Sequence, residues 1–112
     1  MQIANDVSRK RDIVKEIDYS EALRTAMAGN ISPAIASAIE RELADSIRGG
    51  AAVQYIATVQ VNLGVALVQL ANSASERDKC LPLYRRSEAL LFEALANDPS
   101  NTVAGPNLQA VR

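Results

Sequence analysis

Residues 51–72 read AAVQYIATVQVNLGVALVQLAN. No charged residue occurs between Arg48 and Glu76. Fifteen of the 21 residues at 51–71 are apolar, and they fall all round a helix instead of along one stripe. A helix that is apolar on every side is a central one, wrapped by others. Its length would let it cross a membrane. Against that, Gln54, Thr58, Gln60, Asn62, Gly64 and Gln69 are spread along it, and neither a Lys/Arg cluster nor an aromatic belt flanks it. The expectation is therefore a buried helix of a bundle, with no membrane partner.

Upstream of this stretch, Ile31-Ser32-Pro33 is the clearest helix start in the chain. Ser32 can cap, and Pro33 falls at the first helical position, where a missing N–H costs nothing. Ile35, Ile39, Leu43 and Ile47 then recur every four residues, with Ala36 and Ala44 alongside. Glu40, Arg41, Glu42, Asp45 and Arg48 fall on the other faces, so residues 33–48 are an amphipathic helix. Gly49-Gly50 ends it, and so short a connection favours an antiparallel hairpin with the central helix. Further upstream, residues 1–30 form a weaker helical segment. A first helix is expected over 5–17 and a short second one over 20–28. Asp18 and Glu21 have capping-box spacing, Leu23, Ala26 and Met27 form the apolar face, and Gly29-Asn30 gives the stop.

Downstream, residues 72–75 are turn-forming, and Ser73 and Glu76 have capping-box spacing. Pro82 makes the next helix ambiguous: it either starts the helix or kinks one already under way. A start near residues 80–83, after a charged connector, is the favoured reading. Leu83, Tyr84, Leu90, Leu91, Ala94 and Leu95 make the apolar face, and Asp98-Pro99 ends it. Gly105-Pro106 breaks the tail, leaving residues 107–112 as one last helical turn. Alternating strand-like runs are nearly missing. The fold class expected is all-α: one domain, 1–112, of four to five helices in antiparallel hairpins, with core helices in 31–98 and a tail at 99–112.

The second half resembles a tetratricopeptide repeat, a helix–turn–helix unit of about 34 residues that stacks into a solenoid. Leu63-Gly64 stands where the first helix of a repeat carries its Leu-Gly pair. Ser87, Leu91, Ala94 and Pro99 follow the series of the second helix, and Asn107-Leu108 echoes Asn62-Leu63 as if a further repeat were beginning. Gln60 and Leu67 replace a large apolar residue and a Tyr of the family pattern. Asn62 to Asn107 spans 45 residues, an excess of about 11 over the family period, which falls in the connector around 72–84. The likeness covers about residues 57–107, and the first half carries no such pattern. It implies a binding or scaffolding protein without chemistry of its own. It also implies a groove in which Asn62 stands where some repeats carry an Asn, although Val65 replaces the partner Asn three residues on. The chain stops where a further repeat would continue, which leaves room for a longer array.

The 12 basic and 13 acidic residues leave a net charge of −1, so no global field draws the chain to nucleic acid or an anionic surface. Arg9-Lys10-Arg11 reads as a solvated helix face. Histidine is absent and Cys80 is the single cysteine. An internal disulfide is thus impossible, which fits a reducing, cytoplasmic setting. Residues 1–12 lack the apolar core of a secretory signal. Cys80 has no histidine to act as its base, so packing is the expected role despite Arg77 and Lys79 nearby. Glu40, Glu42 and Asp45 lack the His partners of a di-metal bundle and read as a solvated face. Gly49-Gly50 lacks the Lys and Ser/Thr of a phosphate loop.

No enzyme activity, cofactor or metal is expected. Gln54, Gln60, Asn62 and Gln69 need partners if buried. They would bond to neighbouring helices, or line a groove or a subunit interface. The candidate interaction groove is Gln54, Thr58, Asn62, Arg85 and Arg86, with a protein or peptide partner or a second copy of the chain as a homodimer. The alternative is a small helical bundle holding a small ligand or cofactor.

Overall fold

The computed structural model describes residues 17–111. The helix expected over 5–17 and the Arg9–Arg11 cluster lie outside this range, Ile17 excepted. Among the described residues there are five helices and no strand: α1 Tyr19–Met27, α2 Pro33–Arg48, α3 Val53–Ser73, α4 Arg77–Asn97 and α5 Ala104–Val111. The all-α class expected from the sequence is the class observed.

The first two helices begin and end through contacts within one turn. Asp18 Oδ1 accepts the Glu21 N–H at 2.9 Å, and Ser32 Oγ accepts the Ile35 N–H at 3.3 Å with Pro33 in the first turn. Each satisfies an N–H that the helix itself leaves orphaned. At the other ends, Gly29 (φ +89°) and Gly50 (φ +71°) adopt the left-handed conformation. Asn30 N–H then reaches the Thr25 carbonyl and Ala51 N–H reaches that of Ser46. Both are Schellman closures, which only glycine reaches without strain.

Two apolar faces differ from the expected ones. On α2, Ile35, Ala36, Ile39 and Leu43 are buried, but Ile47 is 56% exposed and Ala44 is exposed as well. A four-residue spacing drifts by roughly 40° per step, so by the fourth member the row has turned off the interface. Ser46, three residues beyond Leu43, takes the buried place. On α1, Ala22 and Ala26 form the buried row and Leu23 packs at its edge, while Met27 is 84% exposed. Met27 lies about 100° round the helix from Ala26, towards solvent.

α3 is the shared wall of the molecule. Val59, Leu63, Ala66 and Leu67 join Ala22, Ile35, Ile39 and Leu90 in one core cluster. Ala57 and Val61 join Leu91, Ala94, Ala104 and Leu108 in the other. By length and composition α3 could cross a membrane, and 44% of its most apolar window is buried inside this fold.

The α3–α4 pair is antiparallel, because partners rise in number on one helix as they fall on the other. Gln60 meets Glu93 and Asn97, Gly64 meets Ser87, and Asn72 meets Tyr84. α2 pairs with α3 in the same sense, Glu42 meeting Tyr55 and Ile39 lying beside Asn62. At Gly64 the two long helices approach closely. A Cβ there would meet Leu91 Cγ at 3.0 Å, and the Ser87 hydroxyl donates to the Gly64 carbonyl at 2.7 Å.

The connector between the long helices is shorter than expected. α4 begins at Arg77, so Pro82 lies inside it, and Ala74–Glu76 is all that separates it from α3. Pro82 removes only the bond to the Asp78 carbonyl. Asp78 and Pro82 are both exposed, so this turn of the helix is open to solvent. Ser73 does not form the expected cap: its hydroxyl donates back to the Leu70 carbonyl, and Glu76 caps without a side-chain bond. The Cys80 thiol donates instead to the carbonyls of Ala71 (3.2 Å) and Glu76 (3.3 Å), tying the end of α3 to the start of α4.

α5 also starts earlier than expected. Asn101 Oδ1 accepts the N–H groups of Val103 and Ala104. Gly105-Pro106 then falls within the first turn, where a missing N–H breaks no helix bond.

Candidate interaction groove

α1, α3 and α5 border one side of the molecule, and α2 and α4 are joined on the other by the Arg86–Glu40 ion pair at 2.6 Å. The first side is concave. One hollow of about 610 Å³ lies between α3, the start of α4 and α5, bordered by Val65, Val68, Asn72, Leu81, Tyr84 and Ala110 among others. A second, of about 290 Å³, lies between α1, α3 and α5, bordered by Leu23, Met27, Asn62, Ala66 and Val103 among others. Val65, Gln69 and Asn107 line both, so the two hollows adjoin. Among the described residues, no Asp, Glu, Lys or Arg lines either hollow. The surface is aliphatic with neutral amides.

The amides of α3 divide between the two roles that the sequence left open. Gln60 is only 3% exposed and bonds across to α4, donating to Glu93 Oε2 at 3.1 Å and accepting from Asn97 Nδ2 at 2.9 Å. Asn62 Nδ2 donates to the Tyr19 hydroxyl of α1 at 2.9 Å. Burial of that phenol raises its pKa, the Asn62 bond opposes the rise, and the charge of Glu42 adds to it. Asn72 Oδ1 accepts from the Tyr84 hydroxyl, and Asn107 Nδ2 donates to the Val103 carbonyl at 2.8 Å. Gln69 differs: its Oε1 is buried without a hydrogen-bond partner. Gln69 lies in the wall common to both hollows, where a buried acceptor without a donor is costly.

The five residues expected to line a groove do not come together. Gln54 and Thr58 are exposed on the first turns of α3, with the Thr58 hydroxyl donating to the Gln54 carbonyl at 3.1 Å. Thr58 and Asn62 border a shallow hollow of about 330 Å³ beside residues 100–103. Only Asn62 also reaches the main groove. Arg85 and Arg86 belong to α4. Arg86 is held by Glu40 of α2, and Arg85 borders a separate depression with Glu88, Ala89, Phe92 and Glu93. The reason is rotational: Ser87 is the residue that meets α3, so its two predecessors point along α4's outer faces. The groove residues not foreseen are Val65, Val68, Leu81, Tyr84 and Asn107; Gln69 was among the amides for which a groove was one of the expected places. Asn62, Val65, Gln69 and Asn72 do follow a legible helical row of three- and four-residue steps.

The carboxylates and the thiol are each engaged elsewhere. Glu40 pairs with Arg86, and Asp45 with Arg48. Glu42 accepts the Tyr55 hydroxyl at 2.5 Å. That bond, with burial and the carboxylate charge adding to it, pushes the Tyr55 pKa up to about 12. Among the described residues no group of three or more His, Cys, Asp or Glu side chains is arranged to hold a metal ion. Compared with protein-family models, curated proteins and solved structures, the chain matches none.

Proposed function

We propose that this chain is a non-enzymatic interaction module that holds a segment of a protein partner in the groove bordered by α1, α3 and α5. The observation that carries the reading is the pair of adjoining hollows that share Val65, Gln69 and Asn107. A largely apolar surface that presents no charged or metal-ligating group among the described residues suits recognition better than chemistry. The resemblance to helical-repeat proteins supports the same reading. Its small residue Gly64, set against Ser87 and Leu91, is the kind of close helix contact on which stacked hairpins depend. The balanced charge and single cysteine suit a cytoplasmic module. A small ligand is the second reading, favoured by the size of the larger hollow, about 610 Å³, which falls within the usual range for such sites.

The test is a display selection with a library of natural protein fragments, comparing wild type with Ala110→Arg. Ala110 is exposed and borders the larger hollow, so the arginine blocks the groove without entering the core. Binders that lose affinity for Ala110→Arg support the reading. Binders indifferent to it, but lost on Phe92→Asp, would move the interaction to the α4 face and refute it. Light scattering over a concentration series reports whether a second copy is the partner.

A further inference from the structure

We propose that two copies of this chain pair through the outer face of α4, antiparallel about Ala89. This surface shares no lining residue with the two hollows of the groove. The proposal therefore goes beyond the interaction reading above and does not depend on it.

The first observation is a second seam on α4. Ser87, Leu90, Leu91 and Ala94 are buried against the rest of the molecule. On the other side Pro82, Arg85, Ala89, Phe92 and Ala96 are all exposed. Their spacing alternates between three and four residues, the repeat that sets one row of side chains along the seam of two paired helices. All but Arg85 are apolar. Phe92 is 57% exposed, beside a hollow of about 420 Å³ formed with Arg85, Glu88, Ala89 and Glu93. A ring so exposed gains from burial that its own fold does not provide.

The second observation is the order of charges along that seam, and it names the occupant. Arg85 stands four residues before Ala89, and Glu93 stands four residues after it. Turned end for end about Ala89, α4 therefore presents a glutamate level with each Arg85. A second copy docked in this sense makes two ion pairs across a twofold axis. A parallel pair would set Arg85 against Arg85. Among the described residues Arg85 has no ion-pair partner in its own chain. Glu93 is exposed and gives Oε2 to Gln60, and a carboxylate has room for further donors.

The same register seats the ring. Phe92 lies three residues after Ala89, level with Arg86 of the second copy. There it enters the space between Pro82, Arg85, Arg86 and Ala89, whose spacing is that of the four corners of a knob-accepting hole. Ala89 on the axis carries only a methyl, so the two helices can approach to about 8–10 Å. A seam one helix wide is small, which makes the pair a weak, concentration-dependent one.

The experiment is sedimentation equilibrium on the whole chain, from about 10 μM to about 1 mM. Wild type is compared with Phe92→Asp, Arg85→Glu, Glu93→Arg and Ala110→Arg. All four positions are exposed, and each variant is confirmed as folded by circular dichroism at the temperature of the measurement. The mass should rise with concentration from the 12.0 kDa of one chain towards twice that value. Phe92→Asp should weaken the pair about thirtyfold, as loss of a central aromatic anchor does. Arg85→Glu should weaken it about tenfold, because two attractions become two repulsions. Ala110→Arg should leave it unchanged. An equimolar mixture of Arg85→Glu and Glu93→Arg should recover the wild-type association, since in the mixed pair both contacts again join opposite charges.

A single-chain mass at every concentration would overturn the proposal. Association lost on Ala110→Arg and kept in Phe92→Asp would place the self-contact in the groove and overturn it as well. An undiminished Arg85→Glu pair, or a mixture that stays as dissociated as its components, would overturn the antiparallel register.

Discussion

Gly64→Ala tests the close approach of the two long helices. In an open helix interior this substitution stabilises by about 1 kcal/mol, because alanine loses less backbone entropy than glycine. At this position the new methyl would meet Leu91 Cγ at 3.0 Å, Leu91 Cδ2 at 3.1 Å and Ser87 Oγ at 3.4 Å. Leu91 is fully buried and shares its cluster with Ala57, Val61, Ala94, Ala104 and Leu108. It can yield only by displacing them, and overpacking of this kind costs about 1–3 kcal/mol. The steric effect outweighs the propensity gain, leaving a net loss of about 1 kcal/mol. Urea unfolding followed by circular dichroism reads this directly. With a slope of about 1–2 kcal/mol per molar urea, the midpoint falls by about 0.5–1 M. Leu91→Ala alone should cost about 2–5 kcal/mol. The double variant should cost less than the two together, because the methyl at 64 occupies part of the space that Leu91 vacates. A midpoint that rises in Gly64→Ala, or strictly additive single variants, would refute the close-contact argument.

Pro82→Ala should raise the melting temperature, since it restores the helix bond to the Asp78 carbonyl for a gain of about 1–2 kcal/mol after the loss of proline's stiffening of the unfolded chain; a fall would place the start of α4 after Pro82. Leu67→Asp should leave the chain unfolded at 25 °C by circular dichroism, because Leu67 is buried with Leu63, Ala66 and Leu90, and a buried unpaired charge consumes much of a stability of about 5–15 kcal/mol; retention of the wild-type melt would contradict the central position of α3. The Tyr55 pKa of about 12 lies above its usual 10.0, so the folded state holds this proton more tightly than the unfolded chain. Its contribution to stability is full below pH 10 and is lost as pH rises towards 12. Spectrophotometric titration near 295 nm should show the latest-ionising tyrosine step vanish in Tyr55→Phe and move to lower pH in Glu42→Gln; an unchanged curve in Glu42→Gln would rule out the carboxylate as the cause.

Helix starts and stops were readable from the chain wherever their partners lie within one turn. Asp18, Ser32 with Pro33, Gly29 and Gly50 act on N–H and C=O groups three to five residues away, so residue type and spacing suffice to find them. The place of α3 as the shared wall was legible from its apolar surface, but the cover it implied is incomplete: 44% of its most apolar window is buried, and Val65 and Val68 border an open hollow. Tertiary structure decided what depends on how helices are rotated against one another. Ile47 turned outward because a four-residue row drifts round α2. Pro82 was admitted into α4 because the Asp78 carbonyl that it leaves unpaired belongs to an exposed turn. Arg85 and Arg86 were directed away from the groove because Ser87 is the residue that meets Gly64. The groove itself joins Gln69 of α3 to Asn107 of α5, thirty-eight positions apart. No local pattern encodes that meeting: it arises when burial of Ala104 and Leu108 against Ala57 and Val61 docks α5 beside α3.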